Sequence, residues 1–125
     1  MRELVLVGLG GFLGSISRFY FGGIVLHLSG TSRFPSSTLV VNILGCFLIG
    51  FLATVAERWH WFSMDHKLFI FTGILGGFTT FSAFGYETFY LVRTGALLLA
   101  LVNISTQLIF GLGAVWAGAY LARLG

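Results

Sequence analysis

Long apolar runs separated by short polar clusters organise this chain. The runs cover residues 4–28, 38–56, 68–92 and 96–121. A hydrocarbon crossing needs about 20 apolar residues in a helix, so the pattern predicts four transmembrane helices. Both termini then lie on one side, with no extramembrane domain. The polar clusters mark the turns. Residues 29–33 form a short loop, and Pro35 suits the first turn of a new helix. Glu57, Arg58, Trp59, His60 and Trp61 bound the second run, with the tryptophans where an interfacial aromatic belt is expected. Asp65, His66 and Lys67 occupy the next linker, and Arg93-Thr94-Gly95 reads as a tight turn. Met1-Arg2-Glu3 before an apolar run has the outline of a signal peptide. The run continues past the usual ~7–15 residue core and shows no A-x-A-like cleavage site, which predicts an uncleaved first span.

Composition sharpens this picture. Hydrophobic residues make up 57% of the 125 and charged residues 9%, with a mean hydropathy of +0.96. An ordinary soluble domain is about 25% charged. Eleven charged residues cannot coat a water-soluble body of this size, which excludes a soluble enzyme. One Pro and 14 Phe exclude a disordered chain. The seven basic residues form no run or face, so no nucleic-acid partner is expected. Cys46 lies within an apolar run with no Cys/His spacing that suggests a metal, and reads as a small buried hydrophobe. No repeat of ~20–50 residues is visible. Gly8 and Gly10 open a possible GxGxxG, but residue 13 is Leu and no strand precedes it. Gly10-x-x-x-Gly14 and Gly73-x-x-x-Gly77 read instead as small-residue helix-packing faces. Four basic residues (Arg2, Arg58, Lys67, Arg123) fall on one predicted side and two (Arg33, Arg93) on the other. So weak a bias fits either cytoplasmic termini or insertion in both directions, and the second would allow an antiparallel homodimer.

The polar residues inside the spans carry the candidate chemistry. Arg18 sits about 14 residues into the first span, ~21 Å along a helix. A central Arg costs at least ~2.5 kcal/mol. Either its head snorkels or pairs with carbonyls, or it is a fixed cation facing a wet vestibule. The acid well inside a span is Glu87, near one end of the third. A guanidinium rather than a deep carboxylate argues for an anion over a cation. Thr38 and Asn42 share a face of the second span, and Asn103 and Gln107 repeat the spacing in the fourth. Each Asn offers NH2 donors to an anion or makes an interhelical hydrogen bond. A polar stripe on each of two helices suggests a wet track.

The third span is richest. Gly76-Gly77, Thr79-Thr80 and Ser82 are poor helix formers in succession, so a break in mid-span is expected. Broken backbone at this depth is tolerated only where protein or a cavity satisfies it, and freed carbonyls there can coordinate a cation. Phe81 and Phe84 are i, i+3 neighbours after the break. Their ring edges carry positive quadrupole, which suits a small anion, although a Phe-rich core is the plainer reading.

Three patterns are similar to the CrcB/Fluc family of fluoride ion channels. They are Gly10-Gly11-x-x-Gly14-x-x-x-Arg18-Phe19, Pro35-x-x-Thr38-Leu39-x-x-Asn42-x-x-Gly45, and Gly73-x-x-Gly76-Gly77-x-Thr79-Thr80-Phe81-Ser82-x-Phe84 with Glu87 following. The resemblance covers the whole chain, and its third pattern is the most specific. It implies an all-α, four-helix integral membrane protein with a break in the third helix. It also implies an antiparallel, dual-topology homodimer in the cytoplasmic membrane, with two pathways for passive, selective fluoride export. A structural sodium ion on the dimer axis would be held by the carbonyls of Gly76 and Thr79 of each subunit. Phe81 and Phe84 would line the pores, Asn42 would be the pore asparagine and Arg18 the vestibule arginine. Thr80 and Ser82 belong to the same pattern, with roles less defined. Gln107 stands where family members tend to carry a small hydroxyl, so the fourth-span track is altered here. Selectivity for fluoride over chloride rests on the resemblance alone.

Two other classes compete. A small four-span multidrug-resistance-like exporter resembles its relatives in a first-span glutamate, and here that span carries Arg18, with Glu3 only at its start. A non-transporting assembly subunit would show no flux alone.

Overall fold

The computed structural model describes residues 1–30, 33–59 and 62–125, without the side chain of residue 59. Thr31, Ser32, His60, Trp61 and the Trp59 ring lie outside the described residues, and with them the expected aromatic belt and the middle of the first loop. Among the described residues the chain is all helix. The elements are α1 (Arg2–Ser29), α2 (Ser36–Trp59), α3 (Met64–Lys67), a π-helical stretch (Leu68–Leu75), α4 (Gly76–Phe78), α5 (Phe81–Arg93) and α6 (Leu97–Leu124). Four segments are long and apolar enough to cross a membrane: Arg2–Ser29, Ser36–Arg58, Met64–Arg93 and Leu97–Leu124. At 1.5 Å per residue the 28-residue α1 and α6 are each ~42 Å long, enough to cross the hydrocarbon and extend into both interfaces.

Glycine decides which helices meet. In lipid there is little hydrophobic drive between apolar helices, so close packing supplies the association. A Cβ on Gly10 would strike Phe69 O and come within 2.8 Å of Gly73 Cα, and one on Gly14 would strike Ile74 O. From the other side, a Cβ on Gly77 would lie 2.6 Å from Gly11 O. The two small-residue faces therefore pack on each other, backbone against backbone. The π-helical turns, wider than α-helical ones, coincide with this approach. The second close pair is α2 with α6, where a Cβ on Gly50 would strike Val115 O and one on Gly118 would strike Phe47 O.

The turns follow local chemistry. Pro35 stands immediately before α2, and its carbonyl accepts from Leu39 N at 3.2 Å. Gly95 takes φ 79° in the left-handed region. Ala96 N donates to Leu91 O at 2.8 Å and Gly95 N to Val92 O at 3.0 Å. This is the Schellman pattern, which only a residue tolerant of positive φ closes without strain. Arg58 Nη1 bonds Ala122 O at 3.1 Å and Arg123 O at 2.9 Å, satisfying carbonyls at the end of α6. Arg2 pairs with Asp65, linking the start of α1 to α3.

The single chain buries little. Its core comprises Val41, Ala56, Leu75, Phe78, Leu91, Ala100 and Ala122, with Asn103 fully enclosed. Large apolar side chains cover the outside of α1, α5 and α6, as a chain solvated by lipid requires.

Candidate functional site

The third crossing changes conformation after Phe78. Thr79 has φ −86°, ψ 157° and Thr80 φ −151°, ψ 115°, both extended, before α5 starts at Phe81. Each polar group at these two residues has a partner that makes this backbone tenable within a membrane. Thr79 N and Thr79 Oγ1 both donate to Leu75 O, at 3.0 and 2.9 Å. Thr80 Oγ1 caps α5 by accepting from Ala83 N at 3.2 Å. Thr80 N, which in a continuous helix would bond Gly76 O, donates instead to Asn42 Oδ1 at 2.9 Å. Asn42 Nδ2 returns a bond to Thr80 O at 3.0 Å and gives another to Gln107 Oε1 at 3.3 Å. Arg18 Nη1 donates to Thr79 O at 3.5 Å.

Three of the sequence-derived residues, Arg18, Asn42 and Gln107, therefore converge on the extended Thr79-Thr80 stretch, from α1, α2 and α6. Beside it lies a cavity of about 370 Å³ whose lining includes Asn42, Thr80, Phe81, Phe84 and Gln107. No carboxylate is among its lining residues. The rings of Phe81 and Phe84 are 5.4 Å apart between centroids and tilted by 59°. Ser82 Oγ lies 3.2 Å from Thr80 Oγ1 on the exposed side. A second, larger hollow of about 1000 Å³ opens along α1 beside Arg18, with Ser15, Tyr20, His27 and Ser37 in its lining.

Two expected members stand apart. Thr38 shares the Asn42 face of α2, but its hydroxyl donates to Glu87 Oε1 at 2.5 Å. Glu87 borders a separate hollow of about 110 Å³ with Arg33, Tyr86 and Tyr90. Asn103 lines none of these three cavities. It is fully buried and donates to Thr88 Oγ1 at 3.0 Å, joining α6 to α5. Thr88 is a partner that the motif reading passed over. A signal for it exists, since residues 88 and 103 are nearly equidistant from the Gly95 turn and an antiparallel helical hairpin brings them level. Among the described residues, three buried side-chain atoms in these clusters have no partner: Glu87 Oε2, Asn103 Oδ1 and Gln107 Nε2.

The expected sodium ligands can be weighed on this geometry. The Gly76 carbonyl is released from its helical donor because Thr80 N bonds Asn42. Thr79 O accepts the long Arg18 contact and keeps a second lone pair. Hard carbonyl oxygens suit an alkali cation, so the donor type fits. Two per chain are few, and a second copy would double them.

Four apolar crossings with polar groups gathered at an irregular stretch of the third define a small multi-pass membrane protein. A family model described as "CrcB-like protein, Camphor Resistance (CrcB)" matches residues 5–119, and the chain belongs to this family. It is 44% identical over 124 residues to a protein of Methylobacillus flagellatus named fluoride-specific ion channel FluC, covering 99% of this chain and 97% of that one. It is also 42% identical over 123 residues to a protein of the same name from Citrifermentans bemidjiense, covering 98% of each. One from Oceanobacillus iheyensis, also so named, is 37% identical over 122 residues, covering 98% of this chain and 92% of that one.

Proposed function

We propose that this chain is a fluoride-selective ion channel that lets fluoride leave the cell passively across the cytoplasmic membrane and so gives fluoride resistance. Near-full-length similarity to proteins named fluoride-specific ion channels carries this reading. The site chemistry agrees with it. Fluoride is small and strongly hydrated, so a pathway must replace its water with donors while holding it loosely enough to let it go. Amide and hydroxyl groups of Asn42, Thr80, Ser82 and Gln107 and the ring edges of Phe81 and Phe84 provide donors without a deep charge trap. Arg18, beside the larger hollow, would raise local anion concentration at a vestibule. Thr38 and Asn103 make polar links to α5 towards one end of the crossing, outside the cavity lining.

The functional unit in this reading is an antiparallel, dual-topology homodimer with two pathways and with the extended Thr79-Thr80 stretch of each copy at its centre. The weak charge bias between the two sides supports it, as do the exposed apolar faces. A sodium ion held by Gly76 O and Thr79 O of both copies would pin the two interrupted helices together.

Purified protein in liposomes loaded with fluoride tests the function. Fluoride efflux measured with an ion-selective electrode is expected once the membrane potential is shunted, without a proton gradient. Absence of fluoride efflux, or equal release of chloride, would overturn the reading. For the sodium ion, exchange of sodium for a large organic cation should abolish efflux, and return of sodium should restore it. Undiminished efflux in the sodium-free state would remove that ion from the proposal.

A further inference from the structure

A short chain of hydrogen bonds runs from α6 through α5 to a cavity-lining phenylalanine, and each bond in it has one possible direction. Phe84 O is a carbonyl and can only accept, so Thr88 Oγ1 gives it its single proton, at 2.8 Å. Towards Asn103 the same hydroxyl can then only accept, and Asn103 Nδ2 donates to it at 3.0 Å. The fully buried Asn103 thus holds the hydroxyl of Thr88, and that hydroxyl holds the backbone of Phe84. Phe84 lines the 370 Å³ cavity, whereas Thr88 and Asn103 do not.

This chain acts on the helix that carries the rings. α5 starts at Phe81, directly after two extended residues. No continuous helix therefore passes its rotation on from α4, and that rotation is set by ties to neighbouring helices. Phe81, Phe84 and Thr88 stand at i, i+3 and i+7, on one face of α5. Glu87, one residue round, is tied to Thr38 of α2. Thr88 supplies a tie to α6 on the face that carries the phenylalanines. A threonine hydroxyl bonded to the carbonyl four residues back also bends a helix, here in the turn that follows Phe84.

We propose that Thr88 is a positioning residue for this pathway. Anchored by Asn103, it fixes the rotation and bend of α5, and so the angle at which the Phe84 ring edge meets the cavity. It acts through Phe84 and touches no permeating ion. The inference rests on the reading of this cavity as a fluoride pathway.

A double-mutant cycle in liposomes separates positioning from bracing. Thr88→Val and Thr88→Ala both remove the hydroxyl, and Thr88→Ser keeps it. The two hydroxyl-free variants should slow fluoride efflux by about twofold or more, the least that contacting residues in one network show. Thr88→Ser should run at the parent rate. In a Phe84→Ile background the hydroxyl-free substitutions should slow efflux no further, whereas any loss of thermal stability from the unpaired Asn103 amide should appear alike in both backgrounds. Equal slowing of efflux in both backgrounds would make Thr88 a general brace and overturn the proposal. Parent-like efflux without the hydroxyl, or slow efflux in Thr88→Ser, would overturn it too. A ring probe reads the geometry without any flux. 4-Fluorophenylalanine placed at position 84 should show a displaced 19F resonance in Thr88→Val and the parent resonance in Thr88→Ser, and one common resonance in all three proteins overturns the assignment. If the parent protein passes no fluoride at all, the channel reading fails at that earlier step, and the 19F comparison still decides whether Thr88 positions Phe84.

Discussion

Thr38 Oγ1 donates to Glu87 Oε1 at 2.5 Å, and this bond ties α2 to α5 where the two helices otherwise barely touch. The other carboxyl oxygen of Glu87 is buried, with no partner among the described residues. The hydroxyl is the side-chain donor that reaches this carboxyl among the described residues. Removing one partner of such a pair leaves the other unsatisfied, at ~1–3 kcal/mol, whereas replacing both by apolar groups can be nearly neutral. Thr38→Val should therefore lower the thermal unfolding temperature in detergent. Glu87→Gln, which keeps an accepting oxygen, should lower it less. Thr38→Val combined with Glu87→Met should recover most of the loss. Additive losses in the double variant would show that the two side chains are not coupled.

The glycines of α1 give a second, internally controlled prediction. A Cβ at Gly14 would strike Ile74 O and lie 2.9 Å from Phe78 N, which are backbone atoms that cannot swing aside. A Cβ at Gly8 meets nothing within 4 Å. Gly14→Ala should separate α1 from the third crossing and yield aggregated protein on size exclusion. Gly8→Ala should elute as the parent does, with a small gain in helix propensity. Well-folded Gly14→Ala protein would refute the close-packed interface.

Most of this architecture is legible in the chain, for identifiable reasons. The four crossings follow from uninterrupted apolar runs. The expected fourth span at 96–121 differs from Leu97–Leu124 by one residue at its start and by three at its far end, where Arg58 caps the last carbonyls from another helix. The facing glycine pairs could be read as packing faces because small residues four apart leave a flat strip. The pairing of that strip at Gly10 with Gly73 is long-range and had no local signal. The π-helical winding of Leu68–Leu75 was illegible, since L-F-I-F-T-G-I-L is apolar on every face and carries no phase. In the polar stripes, Asn103 and Gln107 look equivalent by spacing. Their separation, one bonded to Thr88 and one to Asn42, depends on how α5 and α2 flank α6.

Asn42 makes a third prediction, because three hydrogen bonds converge on one short side chain. Asn42→Leu keeps the branched outline of the side chain but leaves Thr80 N and Thr80 O without these partners within the membrane. The expected results are a loss of stability of ~1–3 kcal/mol or more and of most fluoride efflux. Asn42→Asp keeps an oxygen for Thr80 N and should retain more of the fold than Asn42→Leu. Equal stability of the two variants would mean that the Thr80 peptide is held by packing rather than by the amide.

Phe81 and Phe84 give the last prediction. Phe81 is 81% exposed in the single chain, on the cavity that Asn42 and Gln107 also line. An exposed Phe supplies no core packing, so its substitution should leave the fold of the subunit intact. The adjoining ring of Phe84 is tilted at 59° and 5.4 Å away, so the pair presents edges as well as faces to the cavity. Edges carry the positive part of the ring quadrupole and so attract an anion. Substitution by an aliphatic chain of similar bulk removes the quadrupole and keeps most of the volume. Phe81→Ile and Phe84→Ile should each slow fluoride efflux from liposomes by about two- to tenfold, with elution on size exclusion unchanged. Full efflux in both variants would show that the rings only fill space. Loss of the folded species in Phe81→Ile would instead place that ring in a contact the single chain does not reveal.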